Sequence, residues 1–307
     1  MSEIKEKENV IVDSRKGNCI AIDKKDIGFY KKIKKERVDI CNICGKKLPL
    51  TWDHVPPKFC FNNVYVKYNS MMEKASVNRK SSISQNGIRF RTICANCNNN
   101  LLGAKYDTEY KKLVECLYNI YIDSSNISQY IIIKGLKLNR IARAIVGHIL
   151  ASREDYCTGK FEESLRQYFL DETSLPPTGI SLLYYTYIYN TIMIIRDIVP
   201  KHIGNIDYDV PSSFMSCLNS FPLAFLLVND CDNTCGLYNM FEVCTTDIDD
   251  EIDLKVDLLS YLYPNQKYAR DPYWPCSVHD GETGTSMILA TEIAQKSSIM
   301  SDARILK

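Results

Sequence analysis

The spacing of apolar positions changes along the chain, and each change marks an element. Residues 88–93 alternate Ile, Arg, Phe, Arg, Thr, Ile, the two-residue period of a half-buried strand with Arg89 and Arg91 on one face. From Asn98 the run NNNLLGAKYDTEYKKLVECLYNIY predicts a helix, with Leu101, Leu102, Tyr106, Leu113 and Leu117 available for packing. Residues 24–37 predict another helix, Phe29 and Ile33 forming its apolar stripe and Lys31, Lys32, Lys34, Lys35 and Arg37 covering the other faces. Residues 51–55 are a short extended piece that Pro56-Pro57 ends. A long polar insertion, residues 60–87, separates it from the strand at 88–93, so the order there is strand, loop, strand, helix.

The second half has a different pattern. Residues 136–153 predict an amphipathic helix with Ile141, Ile145, His148 and Ile149 on one face, and residues 161–170 another helix. Residues 180–195 and 221–228 are rich in Tyr, Ile, Leu and Val and predict strands; 236–244 and 252–262 are further candidates. Residues 1–22 lack strong periodicity and are expected to be partly flexible. The expected class is α+β, with a boundary near residue 120: residues 1–120 form one domain and 121–307 a second, mixed α/β domain of unknown role.

Charge sharpens that division. Residues 1–110 hold 21 Lys and Arg against 12 Asp and Glu, a balance of +9; residues 111–307 hold 17 against 25, a balance of −8. A basic half suits a polyanion such as nucleic acid, although solvated lysine faces account for the same count. Lys31, Lys32, Lys34, Lys35, Lys58, Arg89 and Arg91 are the candidate phosphate contacts. Thirteen cysteines, an odd number with two close pairs, argue for metal and free thiols in a reducing compartment. The charged start MSEIKEKENV has no apolar segment of a secretory signal, and residues 180–199 are too polar for a confident membrane span. The expected location is the cytoplasm, with no membrane partner.

The cysteine pairs bracket the chemistry. Cys41-Asn-Ile-Cys44 and Cys94-Ala-Asn-Cys97 can together supply four thiolates to one tetrahedral structural Zn²⁺. Such a site is closed and cannot activate water, so catalysis needs a second metal with open positions. Between the pairs lies Asp53-His54, and Asn98 directly follows the last cysteine. Asp53 offers a hard carboxylate oxygen and Asn98 an amide oxygen, both suited to Mg²⁺ or Mn²⁺. A neutral His54 imidazole can deprotonate water near pH 7. In a regular strand Asp53 and His54 would point to opposite faces, unless a bend before Pro56 relaxes this.

On these residues the segment 41–110 resembles an HNH endonuclease of the ββα-metal superfamily, and its zinc ribbon is similar in layout to that of phage recombination endonuclease VII. DHVPPK and RTICANCNNNLLGAKYD also resemble bacterial HNH proteins, many linked to phage defence. The resemblance implies a ββα-metal core, His54 as general base, Asp53 and Asn98 on the catalytic cation, and Cys41, Cys44, Cys94 and Cys97 on zinc. It implies a DNA substrate rather than RNA. The family's central Asn has no clean match, Asn86 being nearest, and Asn99 and Asn100 compete with Asn98. Two alternatives stay open. One is a zinc-ribbon module that binds nucleic acid without cutting. The other is a regulated protein whose acidic half binds a ligand, a partner or itself. Elsewhere the bland reading leads: Asp107 and Glu109 as solvated charges, His148 as a satisfied core histidine, and Cys231, Cys235 and Cys244 as structural thiols.

Overall fold

The computed structural model describes residues 10–12, 19–21, 35–70, 82–123, 129–153, 155–198, 215–229, 237–258 and 287–292. Residues 1–32 separate as a unit of their own. Within it β1 (Val10–Val12) and β2 (Cys19–Ala21) pair antiparallel. The helix expected over 24–37, and with it Lys31, Lys32 and Lys34, lies outside the described residues apart from 35–37, which are not helical.

Residues 33–307 form the second unit. Its first part contains β3 (Val38–Ile40), β4 (Lys47–His54), β5 (Val66–Ser70), β6 (Ser82–Ser84) and β7 (Arg89–Cys94). A π-helix over Asn96–Tyr106 follows and runs on as α1 (Asp107–Asp123). β3, β4 and β7 make a three-stranded antiparallel sheet. The later part adds β8 (Tyr130–Leu136), α2 (Leu138–Ser152), α3 (Lys160–Leu170), β9 (Ile180–Thr186), β10 (Thr191–Ile198), β11 (Met215–Ser220), β12 (Leu223–Asn229), β13 (Tyr238–Asn239), β14 (Ile252–Asp257) and β15 (Met287–Glu292). The fold is therefore mixed α+β.

An eight-stranded sheet runs β13-β9-β12-β11-β10-β15-β5-β6, with every described pair antiparallel. Alternate side chains serve its two faces, as the pleat requires. Leu182, Tyr184, Leu223, Phe225 and Leu227 join the main core with the helices, while Leu183, Tyr185, Ala224, Leu226 and Val228 build a second cluster on the other side. Burial on both faces explains why these strands read as unbroken apolar runs.

Two expectations change here. The polar insertion 60–87 is not only a connector, because its strands β5 and β6 extend the large sheet through β15, with Val66 opposite Glu292 and Ser70 opposite Ile288. The expected boundary near residue 120 leaves no seam in the packing. Ile43, Phe90, Tyr110, Leu117, Ile141, Ile149 and Phe225 belong to one continuous core.

Helix α2 runs through that core, with every residue buried except Arg140. Both ends find partners in other elements. Asn139 donates to the carbonyls of Thr245 and Asp247 at 2.7 and 2.9 Å. At the other end, Asn42 in the first cysteine turn donates to Arg153 O at 2.7 Å and Leu150 O at 3.4 Å, and the Thr92 hydroxyl donates to Ala151 O. Carbonyls of a last helical turn have no partner within the helix, so these donors tie α2 to the cysteine turn and to β7. Gly147 permits the close approach: a Cβ there would stand 2.6 Å from Leu102 of the π-helix and 2.4 Å from Phe169 of α3.

Candidate metal centre and the pocket beside it

The four cysteines converge. The ligand atoms of Cys41, Cys44, Cys94 and Cys97 all lie within 4.8 Å of one another. Among the described residues no other group of three or more His, Cys, Asp or Glu does so. The Cys44 and Cys94 sulfurs are 3.9 Å apart, close to the edge of about 3.8 Å that a tetrahedron with Zn–S bonds near 2.3 Å would have. Gly45 makes the tight turn at φ +69°, its amide donating to Cys41 O at 3.0 Å. The Cys94 amide donates to Cys41 Sγ at 3.3 Å. Hydrogen bonding from the Cys97 thiol lowers the Cys41 pKa to about 5, while burial raises that of Cys44 to about 11. One proton leaves easily, but four thiolates this close need a cation to offset their repulsion and desolvation. The cluster is compatible with a structural zinc.

Beside it opens a pocket of ≈ 350 Å³, lined by Asp53, His54, Lys58, Asn98, Asn99 and Asp107 among others. Both Asp53 and His54, the last residues of β4, line it, next to a register shift that places one extra residue on the facing strand β7. Asp53 turns inward, 9% exposed, and His54 stays half-buried.

His54 Nε2 lies 3.1 Å from the carbonyl of Asn86. A carbonyl only accepts, so Nε2 carries the hydrogen and Nδ1 keeps its lone pair. That carbonyl is itself fixed. Gly87 adopts φ +63° and packs on the backbone of Asn62, leaving no room for a Cβ. Asn62 in turn binds Pro56 O, Ile88 O and the Ile88 amide at 2.6 to 2.9 Å. Sequence reasoning missed Asn62, an unremarkable Asn in a polar stretch. Burial, followed by the charge of Lys58, pushes the His54 pKa below its ordinary value, so the ring is neutral at pH 7.

Asn98 spends both amide hydrogens on Thr51 Oγ1 and Trp52 O, each at 3.0 Å. Its amide oxygen is thereby kept as an acceptor. Asn99 also lines the pocket, whereas Asn100 is exposed and donates to Asn96.

Asp107 departs from the expected solvated charge, whereas His148 is, as expected, a buried core histidine with a hydrogen-bond partner. In an α-helix, nine residues are two and a half turns, which would put Asp107 opposite Asn98. The π-helix between them winds at roughly 4.4 residues per turn, so nine residues make about two turns and both side chains line the same pocket. Asp107 Oδ1 accepts from His148 Nε2 at 2.9 Å. His148 is fully buried, and its Nδ1 lies 3.3 Å from Asp53 Oδ2. That second contact has ion-pair distance without hydrogen-bond geometry, which leaves both atoms short of a hydrogen bond. Burial alone would hold His148 neutral, but the carboxylates of Asp107 and Asp53 outweigh it and raise its pKa to about 10. Glu109, also expected in solvent, is buried and takes a 2.7 Å hydrogen bond from Lys112.

The donors bordering the pocket are carboxylates of Asp53 and Asp107 and the amide oxygen of Asn98. Hard oxygens of this kind are the donor type that Mg²⁺ and Mn²⁺ prefer, and the buried Asp53 oxygen without a hydrogen bond, Oδ2, faces His148 Nδ1.

The basic candidates divide. Lys58 is exposed at the pocket. The guanidinium groups of Arg89 and Arg91 lie 5.5 and 5.4 Å from the ring centre of the half-exposed Trp52, which also lines the pocket. Arg91 additionally donates to Lys35 O at 2.7 Å. Lys35 itself is a correction. It is buried, and its ammonium donates to Ile40 O at 2.9 Å and Asn42 Oδ1 at 2.5 Å, bracing the cysteine turn where phosphate cannot reach it. Cys231 and Cys235 lie outside the described residues, and none of the described helices is long and apolar enough to cross a membrane. No family model matches the chain, and no match is found among curated proteins or solved structures.

Proposed function

We propose that the chain is a metal-dependent endonuclease of the HNH type. Its ββα-metal core would be β4, β7 and the helix from Asn96, and its reaction the hydrolysis of DNA phosphodiester bonds. One observation carries the reading: Asp53, His54 and Asn98 line one pocket beside the four-cysteine cluster, with His54 Nδ1 left basic by the bond from Nε2 to Asn86 O. His54 takes a proton from water as the water oxygen attacks phosphorus and the bond to the leaving sugar oxygen breaks. Asp53 and Asn98 would hold Mg²⁺ or Mn²⁺ through oxygen. The cation, when bound, supplies positive charge to the scissile phosphate and the leaving oxygen. The cysteine cluster would hold a closed zinc that fixes Asn98 through Cys97. Preference for DNA over RNA, and a role in phage defence, rest on the motif resemblance alone. Reduced thiols fit a cytoplasmic setting.

The direct test is plasmid cleavage by zinc-loaded protein. Nicking should require Mg²⁺ or Mn²⁺ and stop in EDTA before zinc is lost, because one carboxylate and one amide oxygen hold a cation less tightly than four thiolates hold zinc. Full activity in EDTA with zinc retained would remove the divalent cation from the mechanism. Binding without any cleavage would leave a nucleic-acid-binding zinc ribbon instead.

Binding should also report its phosphate contacts. Each neutralised phosphate contributes about 0.9 to the slope of log affinity against log salt. Lys58→Ala or Arg89→Ala should therefore flatten that slope by about one, and Lys35→Ala should leave it unchanged. A slope that neither Lys58 nor Arg89 alters would take both off the DNA path.

A further inference from the structure

We propose that His148 is a positioning residue of the nuclease site, delivered by the distant helix α2 to hold the carboxylates of Asp53 and Asp107 in place for a divalent cation. This inference rests on the nuclease reading above. Its ring sits between the two carboxylates, 3.3 Å from Asp53 Oδ2 and 2.9 Å from Asp107 Oδ1. Two carboxylates bordering one pocket repel, and a buried one unopposed would turn toward water or take up a proton. The ring stands between them: Nε2 is hydrogen-bonded to Asp107 Oδ1, and Nδ1 packs against the Oδ2 side of Asp53, so one side chain separates the two carboxylates and limits how each can turn. Ligand carboxylates commonly need such an outer partner to keep their orientation.

The ring's place is fixed from three sides. Asn42 and Thr92 hold the C-terminal carbonyls of α2 to the cysteine turn and to β7. Gly147 lets α2 press against Leu102 on the helix that carries Asn98. His148, next in sequence, is then set against Asp53 on one strand and Asp107 beyond the π-helix. The cation site is thus completed by a residue 94 positions after His54, within the half of the chain that carries no nuclease motif.

Calorimetric titration of Mn²⁺ into zinc-loaded, DNA-free full-length protein tests this. In His148→Gln, the Mn²⁺ dissociation constant should rise 10- to 100-fold. The melting temperature should fall, as for Asp53→Ala, while zinc content and DNA affinity measured in EDTA on folded protein should stay near wild type, a pattern that a purely structural role would not give. Wild-type Mn²⁺ affinity in folded His148→Gln overturns the positioning role and leaves the nuclease reading standing. Should His148→Gln not fold, His148→Asn takes its place, since it removes the ring while leaving every proposed cation donor intact. It should weaken Mn²⁺ in the same direction, and unchanged affinity would overturn the proposal. If wild-type protein binds no Mn²⁺, or binds it equally in Asp53→Ala, the cation site fails and both readings fall together.

Discussion

His54→Ala protein should keep its fold, its zinc and its affinity for DNA, and lose cleavage by about 10²–10⁴-fold, the usual cost of removing a general base. The imidazole is no member of the cysteine cluster, and its one described hydrogen bond is to a backbone carbonyl. Truncation frees the Asn86 carbonyl beside an open pocket, where water can replace the lost donor. Stability should therefore change little while the proton acceptor disappears. The measurement is single-turnover cleavage at saturating Mn²⁺, with DNA affinity and zinc content measured in parallel. Folded His54→Ala that cuts at the wild-type rate would end the mechanism. Asp53→Ala should also inactivate, but for a different reason. It removes an anionic ligand and leaves the buried His148 facing only Asp107, so a drop in melting temperature should accompany the lost activity.

Cys44→Ser or Cys97→Ser should yield insoluble or poorly folded protein, the largest structural effect expected from any single substitution here. Structural zinc contributes on the order of 10 kcal/mol or more to folding in small zinc peptides. In this chain the cysteine turns also organise their surroundings. Asn42 docks α2, Lys35 braces Asn42, and Asn98 follows Cys97 directly. Losing the cluster should thus loosen the pocket and the end of α2 together. Metal analysis of purified wild type should give one zinc per chain. A well-folded protein without zinc would overturn the assignment.

The elements that function depends on were legible to different degrees. Alternation at 88–93 locates β7 within one residue, and the helical run from Asn98 locates the helix that begins at Asn96. Residues 136–153 and 161–170 match α2 and α3 closely. The run 180–195 splits into β9 and β10, and β11 escaped notice because MSCLNS mixes polar with apolar residues although all six are buried. Strands β5 and β6 were hidden for a related reason: a polar segment gives no periodic signal for an edge pair recruited by a distant strand.

By itself the sequence determined the local chemistry: two Cys-x-x-Cys turns, the Asp53-His54 pair, and Asn98 fixed one residue beyond a cysteine. Short spacing constrains geometry within each turn and ties Asn98 to Cys97, while the long-range pairing of β4 with β7 brings the two turns, and Asn98 with Asp53, together. What only tertiary structure decided lies at long range. Winding the helix in π geometry moved Asp107 to the side of Asn98, and packing brought His148, 95 residues beyond Asp53, against its carboxylate. Lys35, basic and surface-like in sequence, was drawn inside by acceptors on the cysteine turn. For His148 and Lys35 a buried polar group finds its partner on another element. One-dimensional periodicity does not encode which distant element supplies that partner.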